Sequence, residues 1–323
     1  MNIDTIENQD CLTILRKMPD ACVDMVFADP PFNLNKKYKS SKDNLSHEDY
    51  MSWSDEWIAH CVRILKPHGS IFVHNIPKWL LLTSPILEKH AFFKHWISWD
   101  APTAPMGKSL QPGHYGVLYY AKQAKPKFYE IRHPHKRCRK KKCRTLHKDY
   151  GGKIPLVHPF GPLVSDVWSD IHRVKHNRDS HPCQLPVHLL ERIILMSTDE
   201  GDIVFDPFMG TGTTALASKR LGRHFYGTEL DAGYHAIAMK RAAEEKHLSR
   251  LDDVWISAHR ERIITLRHTD WDKVAGCFVI HGEGRALDYR PIELKDRYRK
   301  ALPRSPHQHR SKPMVADILS FFQ

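Results

Sequence analysis

The sequence predicts an α/β protein with a mostly parallel sheet that is interrupted by a basic segment. Short buried-strand patterns alternate with amphipathic helix patterns near both ends of the chain, as in sheets whose strands are joined by helices. Two of the predicted strands end on a carboxylate, at Asp29 and Asp206. The net charge of +12 and the pI near 9.3 indicate a polyanionic partner, most simply nucleic acid.

The first half of the chain begins with a short helix and a buried strand. Asp10 is a suitable N-cap for a helix through CLTILRKM, and the strand covers Val23–Ala28. A polar, basic segment without periodicity follows Phe32, and we expect a mobile loop there. The next helix, EDYMSWSDEWIAHCVRILK, is closed by Pro67 and Gly69, and strands follow at SIFVH and GVLYYAK.

The second half resumes this rhythm after a stretch of about sixty residues that is rich in charge, His and Pro. Helix LPVHLLERIILMST precedes strand DIVFDP, and a glycine-containing turn leads into helix TTALASKRLG. Strand HFYGTEL and helix AGYHAIAMKRAAEEKH complete the pattern. No run of eighteen apolar residues predicts a membrane span, and the N-terminus lacks a secretory signal. Seven scattered cysteines suit a reducing cytoplasm.

The stretch VFDPFMGTGTTALASKRLGRHFYGTELD predicts a ligand site. A strand ends at Asp206, the chain turns through Gly210 and Gly212, and Glu229 ends the next strand, where a carboxylate can bind ribose hydroxyls. The third glycine of a dinucleotide-binding turn is absent. This favours a nucleoside ligand without phosphates, such as S-adenosylmethionine, over the alternative of a nicotinamide-dependent oxidoreductase. A tight turn without ligand is the plainer alternative.

The stretch VDMVFADPPFNL places a second motif at the same edge of the sheet. The Asp29 carboxylate and the Pro30 carbonyl could together accept hydrogen bonds from an exocyclic base amine, with Pro31 stiffening the turn. Such a clamp would aim the amine nitrogen at a sulfonium methyl. Phe32 would stack on the base, which must leave the duplex. A plain turn and a non-catalytic nucleic-acid-binding protein remain alternatives.

Together the two motifs resemble those of DNA amino-methyltransferases, specifically the permuted beta class, where the catalytic motif precedes the cofactor motif. DCLTILRKMPDACVDMVFADPPFNL resembles the family's opening, HPCQLPVHLLERII its stretch that holds the methionine part, and FDPFMGTGTT its cofactor loop. The resemblance covers roughly residues 1–122 and 160–245. It implies a seven-stranded, mostly parallel methyltransferase (Rossmann-like) sheet with one antiparallel strand. Leu185 departs from the family, which usually has Lys there; if that Lys holds the cofactor carboxylate, another residue must do so here.

The resemblance also implies roles for individual residues. It assigns catalysis to Asp29, Pro30, Pro31 and Phe32. It also implies methylation of adenine N6, because Asp at the first position of this motif usually accompanies adenine in the family, whereas Ser usually accompanies cytosine. S-adenosylmethionine binding falls to Asp10, Cys11, His181, Gln184, Asp206, Phe208, Gly210, Thr211, Gly212, Thr213 and Glu229. N4-cytosine and RNA amine methylation are the nearest alternatives, and the permuted order favours DNA.

The predicted domains follow from the same order of motifs. Residues 1–120 and 181–245 form the catalytic and cofactor-binding halves, 121–180 a basic target-recognition insert, and 246–323 a basic C-terminal extension. The predicted partners are double-stranded DNA, a cognate restriction enzyme and a second copy of the chain, in a bacterial or phage-encoded setting at the nucleoid of the cytoplasm. The residues predicted to bind DNA are Lys36, Lys37, Arg132, Lys136, Arg137, Arg139, Lys140, Lys141, Lys142 and Arg144.

Thiol and imidazole side chains in the insert raise the question of zinc. His133, His135, Cys138 and Cys143 are of types that bind it. The loose Cys spacing and the surrounding cations favour instead a basic loop that contacts DNA and holds no metal.

Overall fold

The computed structural model describes residues 1–34, 44–101, 110, 112–129, 131–132, 163–171, 173, 184–245, 266–267, 278–281 and 288–291. Contacts divide the chain into two compact units, residues 1–128 with 165–247, and residues 129–164 with 248–323. No helix within the described ranges is long and apolar enough to cross a bilayer.

The first unit alternates strands and helices. Its elements are β1 Thr5–Glu7, α1 Cys11–Leu15, β2 Val23–Ala28, α2 His47–Ile64, β3 Leu65–Asn75, α3 Pro77–Glu88, β4 Phe92–Asp100, β5 His114–Ala121, β7 Val167–Trp168, α4 Val187–Ser197, β8 Ile203–Asp206, α5 Thr213–Arg220, β9 His224–Thr228 and α6 Ala232–Glu244. The second unit contains β6 Ile131–Arg132 paired with β10 Leu266–Arg267, and β11 Phe278–His281 paired with β12 Asp288–Pro291, both antiparallel.

The sheet of the first unit confirms the predicted α/β class. Its strand order is β1-β9-β8-β2-β3-β5-β4-β7. β5 runs antiparallel to β3 and β4, and every other pairing in this sheet is parallel, as predicted. The predicted number of seven strands is wrong by one, because Ser98 and Trp99 of β4 pair with the two residues of β7. The indole of Trp99 secures this addition by donating to the Ile171 carbonyl at 2.8 Å.

Helices cover both faces of the central strands. Alternate residues of β2, Val26 and Ala28, join the core under α1, α2 and α3. Met25 points the other way and accepts a hydrogen bond from Ser197 of α4 at 3.2 Å. Burial on both faces explains why β2 is an almost continuous apolar run, as expected of a central parallel strand.

The boundary between α2 and β3 differs from the prediction. The helix ends at Ile64 instead of continuing to Pro67 and Gly69. β3 begins at Leu65, which pairs with Val23, and the register then shifts so that Ser70 pairs with Met25. The residues between form a bulge, and Gly69 is needed there because a Cβ would lie 2.8 Å from the Asp24 carbonyl oxygen.

Candidate active site

A cavity of about 210 Å3 opens at the carboxyl ends of β2 and β8. After β2 the chain moves to β3 on one side, and after β8 it moves to β9 on the other, so this is where the sheet order reverses and where open α/β sheets bind ligands. The predicted catalytic and cofactor residues that line it are Asp10, Cys11, Asp29, Pro30, Pro31, Phe32, Gln184, Asp206, Phe208, Gly210, Thr211, Thr213 and Glu229.

The turn after β8 is held by the Asp206 carboxylate. Its Oδ1 accepts from the Phe208 backbone N–H at 2.8 Å, and its Oδ2 accepts from the Thr214 hydroxyl at 2.5 Å. Gly210 and Gly212 have φ angles of 54° and 84°, in the left-handed region that glycine adopts without strain. Gly212 does not line the cavity; it caps α5, and a Cβ there would lie 3.0 Å from Cα of Ala238.

Glu229 lies directly after β9 and faces this turn. Its Oε2 accepts from the Gly210 N–H at 2.7 Å and its Oε1 from the Asp231 N–H at 2.8 Å. A carboxylate oxygen can accept more than one hydrogen bond, so both oxygens keep capacity for a ligand hydroxyl. Asp10 completes this side: as predicted it is the N-cap of α1, accepting from the N–H groups of Leu12 and Thr13 at 3.0 and 3.3 Å.

Burial perturbs two of these acids. It raises the pKa of Asp206 to about 7, against the opposing hydrogen bonds from Thr214 and Phe208, and the nearby charges of Asp29 and Glu229 raise it further. Burial also raises the pKa of Glu229, while its two backbone hydrogen bonds lower it. Perturbed acids that share a cleft are typical of functional sites.

The charge of the cavity wall restricts the ligands it can take. Asp10, Asp29, Asp206, Glu229 and Asp231 all line it, and no Lys, Arg or His from the described part of the chain does. Such a wall attracts a cation and repels a pyrophosphate. A sulfonium nucleoside fits this environment, whereas a nicotinamide dinucleotide does not.

Aromatic side chains of α2 position Phe208, one of the residues predicted to bind the cofactor. The Phe208 ring lies 5.5 Å from the ring of Trp53 and 5.4 Å, edge-on, from that of Trp57. Trp53 itself lines the cavity. The sequence prediction missed Trp53, although it lies on the apolar side of the first predicted helix after the Asp-Pro-Pro-Phe motif.

The Asp29–Phe32 corner has two of its carbonyls already engaged. The Tyr50 hydroxyl donates to the Pro31 carbonyl at 2.7 Å, and the Trp79 indole donates to the Phe32 carbonyl at 2.6 Å. No hydrogen bond within the described residues reaches the Pro30 carbonyl. Pro30 lines the cavity, and its carbonyl therefore has capacity to accept a hydrogen bond from a ligand.

Asp29 is likewise half engaged. Its Oδ1 lies 2.7 Å from Nδ1 of His74, the penultimate residue of β3, which pairs with β2. The side chain is 21% exposed and lines the cavity, and Oδ2 is the carboxylate oxygen that His74 does not engage. An exocyclic amine with two N–H groups matches this pair of acceptors, the carboxylate oxygen and the Pro30 carbonyl.

Several predicted residues lie outside the described part of the chain. These are His181, Lys36, Lys37, Lys136, Arg137, Arg139, Lys140, Lys141, Lys142, Arg144 and the four zinc candidates His133, His135, Cys138 and Cys143. The backbone of Arg132 is in β6. No group of His, Cys, Asp and Glu with the arrangement of a metal site occurs among the described residues. Leu185, the departure from the family pattern, is described and lines the cavity.

Comparison with known proteins gives consistent matches. The model for a family of DNA methylases of the N6/N4 type matches residues 23–240. Type II methyltransferase M.BamHI of Bacillus amyloliquefaciens is 45% identical over 228 residues, which are 69% of this chain and 53% of that protein. The chain thus spans about half the length of this relative.

Two further relatives are matched over more of their length. Type II methyltransferase M.HpaI of Haemophilus parainfluenzae is 34% identical over 73% of both chains, and DNA adenine methyltransferase YhdJ of Escherichia coli K12 is 31% identical over 76% of this chain and 84% of its own. Among solved structures, the cytosine-N4-specific PvuII DNA methyltransferase aligns with a TM-score of 0.54 at 20% identity, covering 74% of this chain and 90% of that one. At 20% identity, the likeness to the PvuII enzyme is evidence for the fold alone.

Proposed function

The chain belongs to this family of DNA methylases, and from that premise we propose that it transfers a methyl group from S-adenosylmethionine to the N6 amine of an adenine in DNA. The observation that carries the proposal is the single cavity shared by the Asp29–Pro30 acceptor pair and the acidic wall around Glu229. One motif would hold the accepting amine and the other the donor nucleoside.

The residues present suit the cofactor. Glu229 has oxygens available to both ribose hydroxyls, Phe208 offers a ring held by two tryptophans, and Asp10 lies at the adjoining wall. When bound, S-adenosylmethionine supplies an electrophilic methyl group on a positively charged sulfur. The acidic wall favours that charge, and Gln184 offers a neutral amide where Leu185 replaces the family's Lys.

The chemistry asked of Asp29 is positioning and proton acceptance. The amine would donate one hydrogen to the free Asp29 oxygen and the other to the Pro30 carbonyl. Both bonds reduce delocalisation of the nitrogen lone pair into the base ring, which makes the nitrogen a better nucleophile. Asp29 also stabilises the positive charge that develops on nitrogen and accepts the proton that is lost.

Adenine is proposed on the identity of Asp29, since Asp at this position usually accompanies adenine in the family, and YhdJ carries adenine in its name. Cytosine N4 is the second candidate. In both bases the amine is attached to a ring carbon beside an unprotonated ring nitrogen, so the Asp29–Pro30 pair serves either. The name of the PvuII enzyme, a neighbour in fold, specifies cytosine N4.

The proposed substrate is double-stranded DNA from which the target base is flipped, in a cytoplasmic setting. The basic insert would contact its phosphates. A cognate restriction enzyme is a further proposed partner, because several relatives carry type II methyltransferase names. A homodimer would suit a symmetric recognition site.

The test is methylation of duplex DNA by purified protein with isotope-labelled S-adenosylmethionine, followed by digestion to nucleosides and mass spectrometry. We expect labelled N6-methyladenosine in its deoxy form. Labelled N4-methyldeoxycytidine would replace the first candidate by the second, and absence of both would reject the function. Asp29→Ala is the control variant: it should bind the cofactor within a few fold of the wild type yet lose transfer, and activity above a few per cent would remove Asp29 from the site.

A further inference from the structure

His74 is a buried polar residue beside the candidate active site that the sequence prediction did not include. It lies near the carboxyl end of β3 and is 2% exposed. Its Nδ1 is 2.7 Å from Oδ1 of Asp29. Because an ionised carboxylate only accepts hydrogen bonds, Nδ1 carries the hydrogen and donates it.

The other ring nitrogen of His74 is not engaged. Nε2 is buried and has no hydrogen-bond partner within the described residues. The rings of Tyr115, Phe32 and Trp99 surround the imidazole, at centroid distances of 5.4, 5.8 and 5.9 Å. A buried nitrogen without a partner costs stability, and an apolar side chain of similar size would avoid that cost. The histidine is thus poorly explained by packing alone.

The contact with Asp29 explains it better. A carboxylate at the end of a strand can rotate about its Cβ–Cγ bond, which exchanges the positions of its two oxygens and tilts their plane. The His74 bond occupies Oδ1, so Oδ2 is the oxygen left for a ligand in the cavity that Asp29 lines. The aromatic rings around the imidazole in turn prevent it from following a rotation of the carboxylate.

We propose that His74 is the positioning residue of Asp29: its Nδ1–H fixes the carboxylate so that Oδ2 and the Pro30 carbonyl form one preoriented acceptor pair for the target amine. This inference rests on the proposed methyl transfer to an exocyclic amine. It concerns the step after binding, because His74 is not among the residues that line the cavity. Its loss should therefore reduce kcat and leave cofactor binding unchanged.

Three substitutions separate a hydrogen-bonding role from a packing role. In His74→Asn the amide nitrogen can occupy the position of Nδ1, so the donor to Asp29 is kept. In His74→Gln the amide reaches the position of Nε2, so the donor is moved away. His74→Leu approximates the volume of His and has no donor. His224→Leu is the matched control, because His224 makes a similar contact of 2.8 Å with Asp4, half exposed at the opposite end of the sheet.

Steady-state methylation of duplex DNA and calorimetric titration with S-adenosylmethionine are measured for each variant. We expect His74→Leu and His74→Gln to lower kcat about 100-fold, the typical effect of a misplaced catalytic group. Their dissociation constants for the cofactor should stay within threefold of the wild-type value, a change no larger than the loss of one weak contact would cause. His74→Asn should recover most of the wild-type kcat, and His224→Leu should match the wild type.

Other outcomes would overturn the inference. A His74→Gln variant as active as His74→Asn, or a His74→Leu variant with more than half of the wild-type kcat, would show that the donor at Nδ1 is unimportant. A His74→Asn variant as impaired as His74→Leu would show a role in shape only. If His74→Leu proves unstable, comparing His74→Asn with His74→Gln still tests the inference, because both substitutions introduce a polar amide. An inactive wild type would instead reject the proposed function, which keeps the two failures distinct.

Discussion

The hydroxyl of Tyr50, on α2, donates a 2.7 Å hydrogen bond to the carbonyl oxygen of Pro31. The Trp79 indole of α3 does the same for the next carbonyl, that of Phe32, at 2.6 Å. The two donors pack against each other, with ring centroids 4.4 Å apart. They fix two consecutive peptide planes, and so they fix the direction of the Pro30 carbonyl that precedes them.

We predict that Tyr50→Phe lowers kcat about tenfold, because the Pro31 peptide loses its anchor while the ring packing remains. Unfolding free energy should fall by about 1 kcal/mol, the usual net contribution of one hydrogen bond. Tyr120→Phe is the control. The Tyr120 hydroxyl forms a 2.8 Å hydrogen bond with Ser84, and neither residue lines the cavity. Equal kcat values for the two variants in methylation assays would contradict the role given to Tyr50.

Glu229→Ala should weaken S-adenosylmethionine binding by about 1.5–3 kcal/mol, the range for hydrogen bonds to a charged group. Two effects contribute: the ribose loses its acceptor, and the N–H of Gly210 loses the carboxylate that holds the glycine turn. Calorimetry gives the dissociation constant directly. Glu244→Ala, at an exposed position on α6, controls for the loss of one negative charge. A dissociation constant unchanged from the wild type would remove Glu229 from the binding site.

We predict that the cationic side chains of the basic insert contact DNA phosphates. Replacing four of its cations by Ala should flatten the plot of log affinity against log salt by about 3.6 units of slope, if each contacts one phosphate. The residues to change are Arg137, Lys140, Lys141 and Lys142. Fluorescence anisotropy with labelled duplex at several salt concentrations measures the slope. The control replaces four exposed lysines elsewhere, Lys17, Lys89, Lys125 and Lys240; an equal effect there would show that net charge alone is responsible.

The elements that place the site were predictable because their signals are local. β2 is recovered with the predicted bounds, since its six buried residues form an apolar run interrupted only by Asp24. Asp10 was predicted as an N-cap from its place before an apolar helix, and it accepts from two N–H groups there. The clustering of Asp29, Asp206 and Glu229 follows from parallel strands that end at one edge.

The parts that were missed depend on contacts distant in sequence. α3 contains Pro85, and most residues of β4 are partly or fully exposed. Neither element therefore has a strong hydrophobic pattern in the sequence. Pro67 and Gly69 are helix-ending signals, yet pairing of Leu65 with Val23 draws them into the bulge of β3. In the sequence, His74 is only the last residue of the predicted strand SIFVH. Its importance became visible when the sheet order placed β3 beside β2, within reach of Asp29.

Burial raises the pKa of the Asp206 carboxyl from 3.8 to about 7. Between these two values the folded protein keeps a proton that the unfolded chain has released. Stability therefore falls as pH rises through this window and levels off above about pH 7. From pH 5 to pH 8 this carboxyl alone should cost about 3 kcal/mol, at 1.36 kcal/mol for each pH unit of differential protonation.

Asp206→Asn cannot ionise and should lack this loss. Its amide oxygen can still accept from one of the two donors, Phe208 or Thr214. Urea unfolding at pH 5 and pH 8, without cofactor, should show the wild type losing about 3 kcal/mol more than the variant between the two pH values. Glu229 is present in both proteins and largely cancels in this difference. Asp166→Asn, at an exposed position, should keep the wild-type pH dependence. Parallel losses in the wild type and Asp206→Asn would mean that the Asp206 carboxyl is already ionised in the folded protein at pH 5.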